Sequence, residues 1–314
     1  MASRPSFKFP IYFLPDIFHR VLPFHMAKGM RAMRGIVNNC DCVIEIRDAR
    51  VPFSSTNPQF EDLYANKPRI ILMNKIDIAD EKKTKEISNK ILKDDDADAV
   101  LFSNCNARFN HAIKQVMPVL KQIFTEQNRV KSEQCETPVK GLHERQYKVI
   151  VCGIPNVGKS SFINSARRHF MSKGGKATPV GKKPGVTRSV MQSIKMSQSP
   201  RILLLDTPGI SYPEVQDSMT GIKLALTGTF PDHVIGEEVI AEYLLYALNK
   251  QKNTRYLQMC ALKEPCDDFD KVIYSLAEQR DLIRDSRPDY RRCSILLIQA
   301  FRNGRFGRIT LDET

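Results

Sequence analysis

Gly153-Ile154-Pro155-Asn156-Val157-Gly158-Lys159-Ser160 has the spacing of a phosphate-binding loop. The glycines let backbone N–H groups close round phosphate oxygens, Lys159 reaches the outer phosphates and the Ser160 hydroxyl ligates magnesium. The loop follows an apolar strand and opens a helix, so Val157, Gly158, Lys159, Ser160 and Ser161 also present the helix N-terminus to the anion. Asp206-Thr207-Pro208-Gly209 follows Leu203-Leu204-Leu205. Asp206 is placed to hold magnesium through water, and the Gly209 N–H to meet a terminal phosphate. Thr187, in Pro184-Gly185-Val186-Thr187, lies between these motifs and is the candidate to complete the magnesium shell.

A second motif selects the base. In Asn74-Lys75-Ile76-Asp77 the Asp77 carboxylate can accept from both donors on the lower edge of guanine, and the stem of Lys75 can cover the purine face. Ser103-Asn104-Cys105 follows another strand and can approach the guanine oxygen through backbone N–H groups. This chemistry points to GTP and GDP with Mg2+, and it disfavours an ATPase or kinase. The order is inverted: the base-reading motif precedes the phosphate loop, whereas ordinary small GTPases run the other way. After Gly209 stands Ile210, which cannot orient an attacking water as the glutamine of Ras-like enzymes does. Hydrolysis by the chain alone is therefore expected to be slow. A non-catalytic, GTP-dependent binding module is the alternative.

Strands and helices alternate around these motifs, as in an α/β fold with a parallel-rich sheet and helices on both faces. Strands are expected at 42–46, 70–73, 99–102, 147–152, 190–196 and 202–205, and helices at 56–66, 80–93 and 107–124. The polar residues 125–146 read as a linker. Residues 1–39 read as a basic N-terminal arm with a helix at 26–38, residues 40–212 as the nucleotide domain and 213–314 as a small all-helical domain. Its helices are expected at 214–227, 235–250, 267–284 and 289–302. The segment from Asp206 onward runs straight into those helices, which could then report the nucleotide state.

The chain has 314 residues and a net charge of +13, which suits a polyanionic partner or an anionic membrane surface. Between Glu144 and Asp206 there is no acid, and twelve Lys and Arg residues intervene. Lys173, Lys176, Lys182, Lys183 and Arg188 there, and Arg287, Arg291, Arg292, Arg302, Arg305 and Arg308 near the end, are expected to face nucleic acid. No run of about 18 apolar residues is present, so no transmembrane segment is expected. The eight cysteines lack the spacing of a zinc site and read as reduced, mostly buried thiols. The acid-poor start resembles a mitochondrial targeting segment, but Pro5, Pro10, Pro15 and Pro23 would interrupt its helix.

Nearly the whole chain resembles the circularly permuted ribosome-assembly GTPases. The resemblance rests on His25-Met26-Ala27-Lys28, on Glu45-Ile46-Arg47-Asp48-Ala49-Arg50-Val51-Pro52-Phe53-Ser54 with Asn57-Pro58, and on Pro155–Ser160. Pro184–Thr187 and the closing Phe301–Leu311 complete it. Gly175-Lys176-Ala177-Thr178 and Phe102–Cys105 look most like the family's mitochondrial ribosome-associated branch. The family usually has a glycine before its histidine, where this chain has Phe24. The resemblance implies a circularly permuted P-loop GTPase that matures the large mitochondrial ribosomal subunit, contacting its rRNA and hence serving mitochondrial translation. It also implies residence in the mitochondrial matrix, with peripheral association to the inner membrane. Potassium, held partly by Asn156, would add positive charge at the transition state. His25 would join Lys159, Thr187 and Gly209 in catalysis when the ribosome binds.

Overall fold

A computed structural model describes residues 34–57, 64, 67–94, 97–104, 111–134, 145–170, 193–205, 215 and 217–313. His25, Cys105, Thr187, Asp206 and Gly209 lie outside the described residues, as do most of the expected N-terminal arm and of helix 56–66. Among the described residues no helix is long and apolar enough to cross a membrane.

Two compact units are present. The first comprises the described residues of 24–76 and 81–214 and is built on a six-stranded sheet. Its strands are β1 (Cys42–Asp48), β2 (Arg69–Asn74), β3 (Ala99–Ser103), β4 (Gln146–Cys152), β5 (Ser193–Gln198) and β6 (Arg201–Leu205), in the order β3-β2-β1-β4-β6-β5. All pairings are parallel except β5 with β6. β1 and β2 are buried along their whole length, as continuous Val/Ile/Leu-rich runs in the middle of a covered parallel sheet must be.

Among the described residues, helices that pack around this sheet include α1 (Glu81–Asp94), α2 (His111–Gln134) and α3 (Lys159–Phe170). The β2-α1-β3 crossover runs one way along the sheet and β3-α2-β4 runs back. Right-handed crossovers therefore put α1 on the opposite face from α2. α3 packs against α2 and shares its face. The strand order turns outward in both directions from β1 and β4, so their carboxyl ends form the crevice where such sheets bind ligands.

Residues 125–134, expected as linker, are the second half of α2. The polarity that suggested a linker is that of a helix with a narrow buried stripe. Val116, Leu120 and Phe124 are buried along it, Phe124 stacks on Tyr147 of β4 at 4.1 Å between centroids, and the Tyr147 hydroxyl donates to Asn128. Pairing of Arg129 with Glu126, three residues apart, suits the exposed side.

The second unit comprises Asp77–Asp80 and Val215–Glu313. It holds α4 (Ser218–Leu226), α5 (Glu237–Lys250), α6 (Phe269–Gln279) and α7 (Tyr290–Arg302), with one-turn helices at Asp232–Ile235 and Tyr256–Met259. α4, α6 and α7 are each capped by an aspartate, Asp217, Asp268 and Asp289, whose side chain accepts an orphan N–H of the first turn.

The helix expected at 267–284 stops at Gln279. A small hairpin, β7 (Ile283–Arg284) and β8 (Arg287–Pro288), takes its place. Asp285 and Ser286 both have positive φ, 46° and 60°, the geometry of a tight two-residue hairpin turn. Arg302 is also reassigned. Its guanidinium donates to the Ala225 and Leu226 carbonyls at the end of α4 and forks onto Asp232 at 2.6 and 2.8 Å. It is a clamp inside the unit, where a cation satisfies the carbonyl end of a helix.

Gln127→Pro tests the extent of α2. A proline inside the helix should cost about 3 kcal/mol in chemical denaturation; a polar linker would absorb it with almost no shift of the midpoint.

Candidate functional site

Strand register brings the chemistry to one edge. Asp48, Asn74 and Ser103, the last residues of β1, β2 and β3, are direct neighbours across the sheet. Cys152 ends β4, and the chain turns at once through Gly153 into the phosphate loop and α3.

The loop's glycines are required by close approach. Gly153 has φ of 136°, and a Cβ there would stand 2.3 Å from the Ile46 carbonyl oxygen. Gly158 has φ of 110°, and its Cβ would stand 2.1 Å from the Asn74 side-chain nitrogen. The Asn74 amide donates to the Val157 carbonyl at 2.7 Å, wholly out of solvent. That bond carries the base-reading motif onto the phosphate loop.

Lys159 begins α3, half-buried, and its ammonium donates to the Ile154 carbonyl at 2.6 Å across the loop. Burial pushes it down to about 8. Ser160 and Asn156 are exposed at the same loop, and Asn156 adopts a φ of 62°. The glycine cradle, a desolvated lysine and a helix N-terminus fit a polyphosphate, and the Ser160 hydroxyl at the mouth fits its magnesium ion.

Lys75 also has a left-handed backbone, with φ of 65°. Its ammonium is held at 2.8 Å by Asp48, which Arg50 grips with two further side-chain bonds of 2.7 and 3.0 Å. The Arg50 backbone N–H also donates to Asp48, and the Asp48 N–H donates to the Ser55 hydroxyl. Asp48 and Arg50 are buried, and the Lys75 side chain is 22% exposed. Burial by itself would raise the Asp48 carboxyl; the charges and hydrogen bonds of Arg50 and Lys75 override it and hold the group well below the usual carboxylate range. Behind them on β1, Glu45 accepts a two-pronged bond from Arg47 and faces Arg69.

Sequence reading saw Asp48 and Arg50 only as part of a family pattern. The available signal was a cluster of charges at the end of a strand that is otherwise fully apolar. Ile76 lies in the single 3-10 turn Ile76–Ile78, and Asp77 is exposed there. Asp77 belongs to the second unit, and Asn74 and Lys75 to the first. Ser103 is buried and Asn104 partly exposed after β3. The buried thiols do not take part: desolvation pushes Cys40 and Cys293 up to about 11 and Cys260 up to about 12, so they stay protonated.

Residues 148–267 match the family described as 50S ribosome-binding GTPase. The chain is similar to Mitochondrial ribosome-associated GTPase 1 of Mus musculus, 39% identical over 306 residues that cover 94% of this chain and 90% of that protein. It is also similar to Ribosome biogenesis GTPase A of Bacillus cereus, 31% identical over 291 residues and 92% of each chain. Among solved structures, GNP-bound YlqF from T. maritima aligns with a TM-score of 0.57 at 22% identity, over 91% of this chain and 98% of that one. At that identity the likeness is one of fold.

Asp48→Asn leaves two cations facing a neutral amide in a buried place, and should lower unfolding free energy by about 3–5 kcal/mol in denaturant titration. A second expectation concerns protons. An arriving polyphosphate favours charged Lys159, so nucleotide binding above about pH 8 should be accompanied by proton uptake. Affinity should fall as pH rises through that value. Calorimetry in buffers of different ionisation enthalpy measures the uptake, and Lys159→Gln should abolish it.

Proposed function

The chain belongs to the circularly permuted ribosome-assembly GTPases, and from that premise we propose that it binds and hydrolyses GTP as a factor in assembly of the large mitochondrial ribosomal subunit. The observation that carries the reading is the buried bond from Asn74 to Val157, which joins the guanine motif to the phosphate loop despite their inverted order.

In this reading the N–H groups of Val157, Gly158, Ser160 and Ser161 line the phosphates, and Lys159 offsets charge on the outer ones. Ser160, Asp206 and Thr187 would hold magnesium, which would supply positive charge to offset that of the phosphates. Asp77 reads the two guanine donors, Lys75 covers the base from the anchor supplied by Asp48, and Ser103, Asn104 and Cys105 close round the guanine oxygen. The Gly209 N–H meets the terminal phosphate.

Ile210 supplies no hydrogen bond to an attacking water. Asn156, exposed beside the loop, would hold a potassium ion that supplies positive charge, and His25 would assist on the ribosome, so that both would raise the slow intrinsic rate this implies. Exposed Arg287, Arg305 and Arg308 supply positive surface for rRNA. The site of action is the mitochondrial matrix, with the same basic surface allowing peripheral contact with the inner membrane.

Ile210 also favours a second reading, in which GTP only fixes the protein on its partner and turnover is incidental. Steady-state GTP turnover separates the two. The rate should rise when potassium replaces sodium, and again on addition of large ribosomal subunits. Equal rates under all four conditions remove the catalytic mechanism.

A further inference from the structure

The closing segment Gly304–Thr310 grips the turn that carries Asp77. The Ile309 N–H donates to the Ile78 carbonyl at 3.0 Å, and the Asp80 N–H donates to the Thr310 hydroxyl oxygen at 3.1 Å. Ile309 and Thr310 are buried. Gly304, with φ of 73°, lies so close that a Cβ there would stand 2.5 Å from the Ile78 side chain. The segment is itself fastened from α5 and the loop after it: Gln251 donates to the Thr310 carbonyl and Asn253 to the Phe306 carbonyl, both at 2.9 Å. Phe306 is buried as its anchor.

A carboxylate that must accept two hydrogen bonds from one base edge tolerates little misplacement. The turn bearing Asp77 is a single 3-10 turn, a form with poor internal hydrogen bonding. Its orientation has to be fixed from outside. The bonds on Ile78 and Asp80 fix it from the residues directly following Asp77.

We infer that Ile309 and Thr310 are positioning residues for guanine recognition, acting through Ile78 and Asp80 on Asp77, so that guanine affinity is set by the C-terminal helical unit. This rests on the reading of Asp77 as the guanine acceptor. By linkage, a partner that shifts this segment changes nucleotide affinity, and the nucleotide changes the partner's affinity by the same factor.

The test is binding of fluorescent GDP and XDP to the full chain carrying Thr310→Val, Thr310→Ser, Asp77→Ala, Asp77→Asn or Thr310→Val with Asp77→Ala. Thr310→Val removes one acceptor at nearly constant shape and should weaken GDP roughly two- to ten-fold. Thr310→Ser should restore it. In the Asp77→Ala background the valine should add no further loss, because no carboxylate remains to be placed. Gly304→Ala, which pushes on the Ile78 side chain, should behave like Thr310→Val and serves if the valine variant does not fold. A GDP loss that is additive with Asp77→Ala, or no loss at all, overturns the inference. If Asp77→Asn fails to gain XDP over GDP, the base reading itself falls and the inference with it.

Discussion

One buried amide holds the nucleotide site together. The Asn74 side chain donates to the Val157 carbonyl across a sequence separation of 83 residues. A buried donor left without its acceptor costs more than the bond itself contributes, so neither motif can drift without a penalty at the other. The same contact explains Gly158: a side chain there would occupy the space of the Asn74 nitrogen. The glycine usually credited with admitting phosphate is here also the space through which the base motif reaches the loop.

The next layer is electrostatic. Lys75 adopts a left-handed backbone, which costs an ordinary L-residue roughly 1–2 kcal/mol. The buried cluster of Asp48, Arg50 and Lys75 holds it there. Buried ion pairs add little net stability over a packed apolar core, because desolvation consumes most of the attraction. Their contribution here is positional: Asp48 stands beside Asn74 in register, so one strand end aims the residue that follows the next.

Much of this was legible in the sequence where local rules govern. Gly153 and Gly158 need particular backbone geometry, and five of the six strands of the large sheet lie on apolar runs, while β5 alternates and runs to Gln198, beyond the expected end at 196. What escaped depends on distant partners. Residues 125–134 are polar enough to read as linker, and only the stacking of Phe124 on Tyr147 shows why the helix continues. The 283–288 hairpin was hidden in a charged stretch that scores as helix, because nothing in its composition announces positive φ at Asp285 and Ser286. Arg302 looked like one more surface cation. Its role as a clamp needs the end of α4 and Asp232 to arrive beside it. The cluster of Asp48, Arg50 and Lys75 exists only once β1 and β2 are aligned.

Sheet geometry is indifferent to chain order, since the carboxyl ends of parallel strands gather the same loops however they are threaded. What inversion changes is the covalent and packing neighbours of each loop. In this chain the contact boundary between the two units falls inside the guanine motif, after Ile76. Asn74 answers to the phosphate loop, while the residues following Asp77 answer to Ile309 and Thr310. Truncating the C-terminal unit would strip the turn bearing Asp77 of its hydrogen bonds with Ile309 and Thr310.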